Sequence, residues 1–395
     1  MSLIPHFERT TRNSTISHFL LMLGYKLFSF YFPIFLLTQG LSLPKIGFVY
    51  LLIYLPITIS SPLIGAISHK LNPYILIVCG IFGYSLYSLG LLFLPVSFTF
   101  YFLQVILGIS ASLFLVGNRI ILISSSLAKP ARSFGWFYSA SYYAAELAPV
   151  LGAIIIFFYG FKSVFALSIL IYLINIVFTF FNLRKSESDS YLKTSFKESL
   201  SNFFSASKKL FQPQIFPIML ISFLVLFVGG FYSSFFLIFL KENGWSQNTI
   251  LTYSSLNSLL FLPISFFGLH ILSKNTSLKN IFIGSLLFGI FSLLIGWFGI
   301  FLGFIGTLIL NEILELGSFV SSSARSGFVS RIFSSHPSEA GALDTIFSPL
   351  GVALGSLVGG LLIGYIGYSG IFVFGGILIL LLVLSLRFRL TQRAN

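Results

Sequence analysis

The stretch IFLGFIGTLILNEILELGSFVSSS, residues 300–323, decides how this chain is read. It is long enough to cross about 30 Å of hydrocarbon as a helix, yet it carries Glu312 and Glu315 near its middle. A charge at the centre of a bilayer costs roughly 2.5–3.5 kcal/mol on insertion scales, so one that is kept there faces a water-filled cavity or a partner. Lys26, Glu146 and, nearer an edge, Arg119 stand in similarly apolar surroundings. The chain has only ten acidic residues, and three of them fall at mid-membrane depth. That pattern points to a path for a solute or a proton.

Composition agrees with a bilayer setting. Of 395 residues, 56% are hydrophobic, 18% aromatic and 8% charged, and 49 are Phe. No soluble domain of this length needs so much apolar surface. In a soluble protein the net charge of +13 would suggest nucleic acid. Here the basic residues sit in short loops between apolar runs, so they report topology and no nucleic-acid partner is expected. The single cysteine, Cys79, excludes an intrachain disulfide and a thiolate metal cluster. The five His are scattered without metal-ligand spacing. There is no phosphate loop ending in Lys-Ser/Thr and no nucleophile elbow, so no cofactor and no enzymatic activity are expected. Residues 1–15 are polar and carry no cleavage site before the first span, so no removable leader is expected.

Twelve helical spans are expected, near 16–37, 46–67, 74–94, 98–123, 134–159, 164–183, 215–240, 249–271, 278–298, 300–323, 340–366 and 371–390. The runs are twice the length of a barrel strand and lack its period-two alternation. With both termini in the cytoplasm, eighteen Lys/Arg fall in inner segments and only Lys45, Lys162 and Lys241 in outer ones, of 23 in all. The positive-inside rule selects that orientation, in the plasma membrane. The polar interval 184–214 reads as a cytoplasmic linker, with a short amphipathic helix at 196–210 lying on the bilayer surface. It separates bundles 1–183 and 215–395.

The two halves echo one another. Gly40-Leu41-Ser42 with Ile46 recurs 204 residues later as Gly244-Trp245-Ser246 with Ile250. Ala144, Ala148, Gly152 and Ala153 recur 207 residues later as Gly351, Gly355, Gly359 and Gly360. Their order and near-constant offsets indicate a duplication of six spans, the kind of parallel repeat that builds rocking transporters.

With these features the chain resembles the major facilitator superfamily of secondary transporters over almost its whole length. The loop after span two matches that family's signature in Gly65 and Lys70. His69 replaces its acidic residue, Asn72 replaces its later glycine, and the terminal basic pair is absent. Span five matches the antiporter-associated signature with Gly135, Ala144, Ala148-Pro149 and Gly152-Ala153, three of the glycines being alanine here. In span four, Gln104 stands four residues before Gly108, where the family often places an arginine, so a relay through that arginine does not transfer.

Helical spacing groups the polar residues into stripes. Glu312, Glu315, Ser318, Ser322 and Arg325 share one face, Gln104, Gly108, Ser112 and Arg119 another. His18, Lys26, Ser29 and Pro33 come close to a third, and Tyr138, Tyr142, Glu146 and Pro149 to a fourth. The resemblance implies that spans one, four, seven and ten line a cavity that span five approaches. Lys26, Glu146, Glu312 and Glu315 are therefore the coupling candidates. Gln104, Ser112, Arg119, Tyr142, Asn311 and Ser318 are expected to line the cavity. Gly65, His69, Lys70, Ala148, Pro149, Gly152 and Asp344 are assigned to conformational change. Lys26 is expected to pair with Glu146, and two carboxylates a turn apart, Glu312 and Glu315, supply a proton carrier. A static ion pair that sets helix register is the plainer reading of Lys26–Glu146.

The leading expectation is a monomeric, proton-coupled exporter of a small organic solute, working by alternating access. Proton-coupled uptake of a metabolite, or a transport-inactive sensor or scaffold of the same fold, are the alternatives.

Overall fold

A computed structural model describes residues 8–67, 72–95, 97–125, 130–184, 201, 205, 207–299, 301–332 and 337–392. Among them the secondary structure is helical: α1 Arg9–Ser29, α2 Phe32–Thr38, α3 Leu43–Ile67, α4 Pro73–Phe93, α5 Phe98–Ser125, α6 Pro130–Tyr159, α7 Phe161–Leu183, α8 Phe216–Glu242, α9 Gln247–Lys274, α10 Ser277–Phe298, α11 Gly303–Ile332 and α12 Pro337–Gln392. Ten of these helices are long and apolar enough to cross a membrane, and α1 with α2, bent by 42°, makes an eleventh. The 56-residue α12 is two helices joined at Gly367, where φ is 70°, so each of the twelve expected segments has a helical counterpart. The surface helix expected at 196–210 lies for the most part outside the described residues.

Local chemistry starts and stops these helices. The side chains of Asn72, Ser246 and Thr276 accept from the backbone N–H groups of Tyr74, Thr249 and Lys279, satisfying donors that a helix start leaves open. Gly40 and Gly244 both turn the chain with positive φ, and they stand 204 residues apart. Gly160 and Gly367 do the same 207 residues apart. A side chain in that left-handed region is strained, so glycine at these turns is a backbone requirement.

The contacts divide the chain into two compact units, Met1–Phe30 with Ile59–Leu200, and Tyr31–Thr58 with Ser201–Asn395. This grouping departs from the contiguous bundles 1–183 and 215–395, because the segment from Tyr31 to Thr58 packs with the second set of helices. Tyr31 is hydrogen-bonded to Ser254 and Ser255 of α9. A Cβ on Gly47 would stand 2.3 Å from the Ser356 carbonyl oxygen of α12, and one on Gly360 would stand 2.7 Å from the Leu43 carbonyl. Backbones this close are possible only where side chains are missing.

Inside the first unit α1 packs on α6 and α7, and α4 on α5 and α7. Inside the second, α8 packs on α12, α10 on α11 and α12, and α9 on α11. The tightest approaches repeat at the offsets seen in the sequence. A Cβ on Gly152 would meet Leu27, and one on Gly359 would meet Phe231; the two pairs are related by the offsets of 207 and 204 residues already seen. Likewise Gly80 approaches Ser110 and Phe114, while Gly284 approaches Gly317 and Ser321. The duplication is therefore one of packing geometry as well as of sequence. Buried polar side chains tie the helices internally. Ser168 Oγ donates to the Gly24 carbonyl (2.7 Å) and Ser292 Oγ to the Phe372 carbonyl (2.8 Å).

Candidate functional site

In the first unit the charged pair belongs to the α1–α6 seam. Small residues build that seam: Ala144 and Ala148 are fully buried, and Gly152 lets α6 reach the Leu27 carbonyl of α1. The close approach brings Lys26, one residue before Leu27, under the electrostatic influence of Glu146, less than two turns before Gly152. Pro149 lies buried between them and lacks the N–H that a helix interior would use. Near the same seam His18 stacks on Phe137 with ring centroids 4.2 Å apart, and its Nδ1 lies 2.7 Å from the Phe137 carbonyl oxygen.

The residues of the span-four stripe meet different neighbours. Gln104 is fully buried; it accepts from Tyr87 Oη of α4 (3.0 Å) and donates to the Phe100 carbonyl (3.1 Å). Ser112 is also fully buried, accepts from Ser60 Oγ (2.8 Å) and Ser61 Oγ (3.0 Å) of α3, and donates to the Gly108 carbonyl. Both were expected to line the cavity; instead they are interhelical ties, because residues that share a helical face still meet different neighbours at different depths. Arg119 donates from Nη2 to Tyr138 Oη (3.0 Å), joining α5 to α6. Tyr142 is half exposed. Gly65 is not at a close approach, since a Cβ there would meet nothing within 4 Å. His69 and Lys70 lie outside the described residues, and so does the side chain of Asp344.

In the second unit Glu312 and Glu315 take separate environments. Glu315 Oε1 accepts from Asn257 Nδ2 of α9 (2.9 Å) and from Asn311 Nδ2 one turn earlier on α11 (3.0 Å). Asn311 Nδ2 also donates to Asn257 Oδ1 at 2.7 Å. The three side chains close a triangle that ties α9 to α11. Glu312 is only 4% exposed and borders a hollow of about 390 Å³ whose other walls are Pro263, Ile264, Phe267, Ile313 and Leu316. Further along α11, Ser318 is half-buried, and the Arg325 guanidinium lies 5.8 Å from the Phe347 ring centroid, within cation–π range.

Asn257 was not among the residues singled out from the sequence. A lone amide in an apolar span was the available signal, and only the fold shows that it meets a carboxylate 58 residues away.

These helices, turns and seams belong to a known class of membrane carrier. The model of the Major Facilitator Superfamily matches residues 14–341, and the chain belongs to that family. It is accordingly a multi-pass membrane transporter and not an enzyme. Its fold is shared with a POT family transporter solved in complex with a thioalcohol-conjugated peptide, at TM-score 0.73 and 16% identity, covering 97% of this chain and 96% of that one. A POT family transporter in complex with 5-aminolevulinic acid matches at TM-score 0.71 and 16% identity, covering 96% and 95%. A mutant of the peptide transporter POT in complex with alafosfalin matches at TM-score 0.71 and 15% identity, covering 95% and 93%. At these identities the likeness is one of fold. No curated protein sequence matches the chain.

Proposed function

We propose that the chain is a proton-coupled symporter that takes up a small, amine-bearing organic solute by alternating access. The observation that carries this reading is the pair of carboxylate environments in α11, Glu312 buried and Glu315 half-buried. Glu315 is held by two amides, and Glu312 faces an apolar hollow whose volume suits a small ligand. In that division Glu315 handles the proton, and Glu312 offers a negative charge to an ammonium group. Lys26, close to Glu146 in the first unit, is a separate coupling candidate there. Ionisable side chains kept inside a membrane are costly, and are functional-site hypotheses by default. The amine-bearing class is favoured by the solutes bound in the similar folds, a peptide conjugate and 5-aminolevulinic acid among them.

Export by antiport was the leading expectation, and its argument was the small-residue signature of α6. The same seam recurs between α8 and α12, where a Cβ on Gly355 would stand 1.8 Å from the Phe227 carbonyl oxygen. A feature present in both halves reads as packing geometry, so it no longer favours export. We further propose a monomer in the plasma membrane with both termini cytoplasmic, on the strength of the eighteen inner Lys/Arg.

The test uses proteoliposomes with a pH-sensitive dye inside and an acidic exterior, supplied with labelled alanylalanine or 5-aminolevulinic acid. Symport predicts solute accumulation accompanied by internal acidification, with both lost in Glu315→Gln and Lys26→Ala. Solute leaving as protons enter, or solute movement without any proton flux, would overturn the proposal.

A further inference from the structure

The triangle around Glu315 does more than satisfy a half-buried carboxylate. A carboxylate oxygen has two lone pairs, and both amide donors converge on the same oxygen, Oε1, at 2.9 and 3.0 Å. One donor belongs to α11 itself, whereas Asn257 belongs to α9. Asn257 is doubly held, since its Oδ1 accepts from Asn311 while its Nδ2 donates to Glu315. A proton on the other oxygen, Oε2, neutralises the carboxylate and so weakens both of these bonds, whose strength comes from the charge on the acceptor. The Asn311 amide sits one turn away on the same rigid helix, so the bond that can yield is the one between helices. We propose that Asn257 is a positioning residue for proton coupling: a proton loaded on Glu315 weakens the bond from Asn257 and so loosens α9 from α11 at that point.

The inference rests on the symport reading, and adds to it the residue through which the proton is felt. Other titratable groups face the same place. Tyr253 of α9 feels both Glu315 and Glu312, and Tyr232 of α8 acts on Tyr253 in turn. Glu312 lies on α11 itself, three residues before Glu315. Glu312 borders the hollow with Pro263 and Phe267, while Tyr253 Oη donates to the Thr307 carbonyl (3.4 Å). Neither is among the donors that hold Oε1, so the link between proton and helix separation passes through Asn257.

The experiment compares full-length wild type with Asn257→Leu and Asn257→Gln in proteoliposomes, using labelled alanylalanine and 5-aminolevulinic acid. Two rates are measured on each: solute exchange with no pH gradient, and accumulation driven by an inward proton gradient. Leucine keeps the branched shape and removes the amide, so exchange should stay within about twofold of wild type. Driven accumulation should fall about tenfold, the scale of one lost hydrogen bond to a charged group. Asn257→Gln, which keeps the amide, should recover most of that loss. Glu315→Gln serves as the reference for a lost coupling site and should show at least as large a fall in driven accumulation.

Driven accumulation at the wild-type level in Asn257→Leu would overturn the inference while leaving symport intact. So would an equal fall of exchange and accumulation, since that marks a purely structural role. Failure of Asn257→Gln to recover would count against it in the same way. A wild type that accumulates neither probe under the gradient removes the symport reading, and this inference with it.

Discussion

Gly152→Ala is the sharpest test of the seam that carries Lys26. An alanine Cβ at this position would stand 1.9 Å from the Leu27 carbonyl oxygen and 2.9 Å from its carbon. Ordinary contact lies near 3.5 Å, so α1 and α6 must part by about 1.6 Å at this point. The obstacle is backbone in a packed helix, which cannot rotate aside as a side chain can. Overpacking of this kind costs about 1–3 kcal/mol, and a rigid obstacle places it near the upper end. Alanine's better helix propensity returns about 1 kcal/mol, leaving a net loss of about 2 kcal/mol, or a fall in thermal midpoint of about 4–8 °C. Gly355→Ala, whose Cβ would stand 1.8 Å from the Phe227 carbonyl oxygen, should show the same loss in the second unit. Gly65→Ala and Gly229→Ala meet nothing within 4 Å and should be neutral or slightly stabilising. The assay is the thermal transition of the detergent-purified protein, followed by the loss of monodisperse material. If Gly152→Ala melted with the wild type, or if the two controls fell as far, the close-packed seam would not be what holds α1 to α6.

Two further outcomes follow from buried contacts. Gln104→Leu removes the acceptor for Tyr87 Oη, which is buried; losing that hydrogen bond should lower stability by about 0.5–1.5 kcal/mol. The double variant Gln104→Leu/Tyr87→Phe should regain most of it, and a double variant worse than the sum of its parts would refute the assignment. Gly47→Val should push the Leu43–Thr58 segment off α12, where a Cβ would stand 2.3 Å from the Ser356 carbonyl. In a Cys79→Ser background, maleimide labelling of Ser356→Cys should then quicken by about tenfold or more, from the near-zero exposure of that position. An unchanged labelling rate would show that the segment does not cover it.

How much of this was legible beforehand depends on the distance over which the physics acts. A membrane helix needs its own backbone hydrogen bonds and an apolar stretch of about 20 residues, both of which are local. Residues 300–323 therefore announced a span, and α11 runs through them. The turn glycines were equally local, since Gly40 and Gly244 must adopt positive φ whatever surrounds them. The repeat was visible because duplicated seams keep their small residues, as Gly152 and Gly359 do. Spacing could also put Glu312 and Glu315 on one helical face.

What the sequence could not supply was the opposite wall. The depth at which two helices touch is chosen by the whole set of small-residue contacts along the seam, and a shift of one residue exchanges every partner. Hence Gln104 and Ser112, read as cavity lining, turned out to be sealed ties to Tyr87 and to Ser60 and Ser61. Likewise Gly65, assigned to conformational change, has nothing within 4 Å of where a Cβ would stand. The two carboxylates of α11 differ only because Asn257 stands opposite one of them and Pro263 and Phe267 stand beside the other. Composition and period thus determined that the chain is a stack of membrane helices carrying costly charges, whereas the tertiary structure decided which partner each charge has.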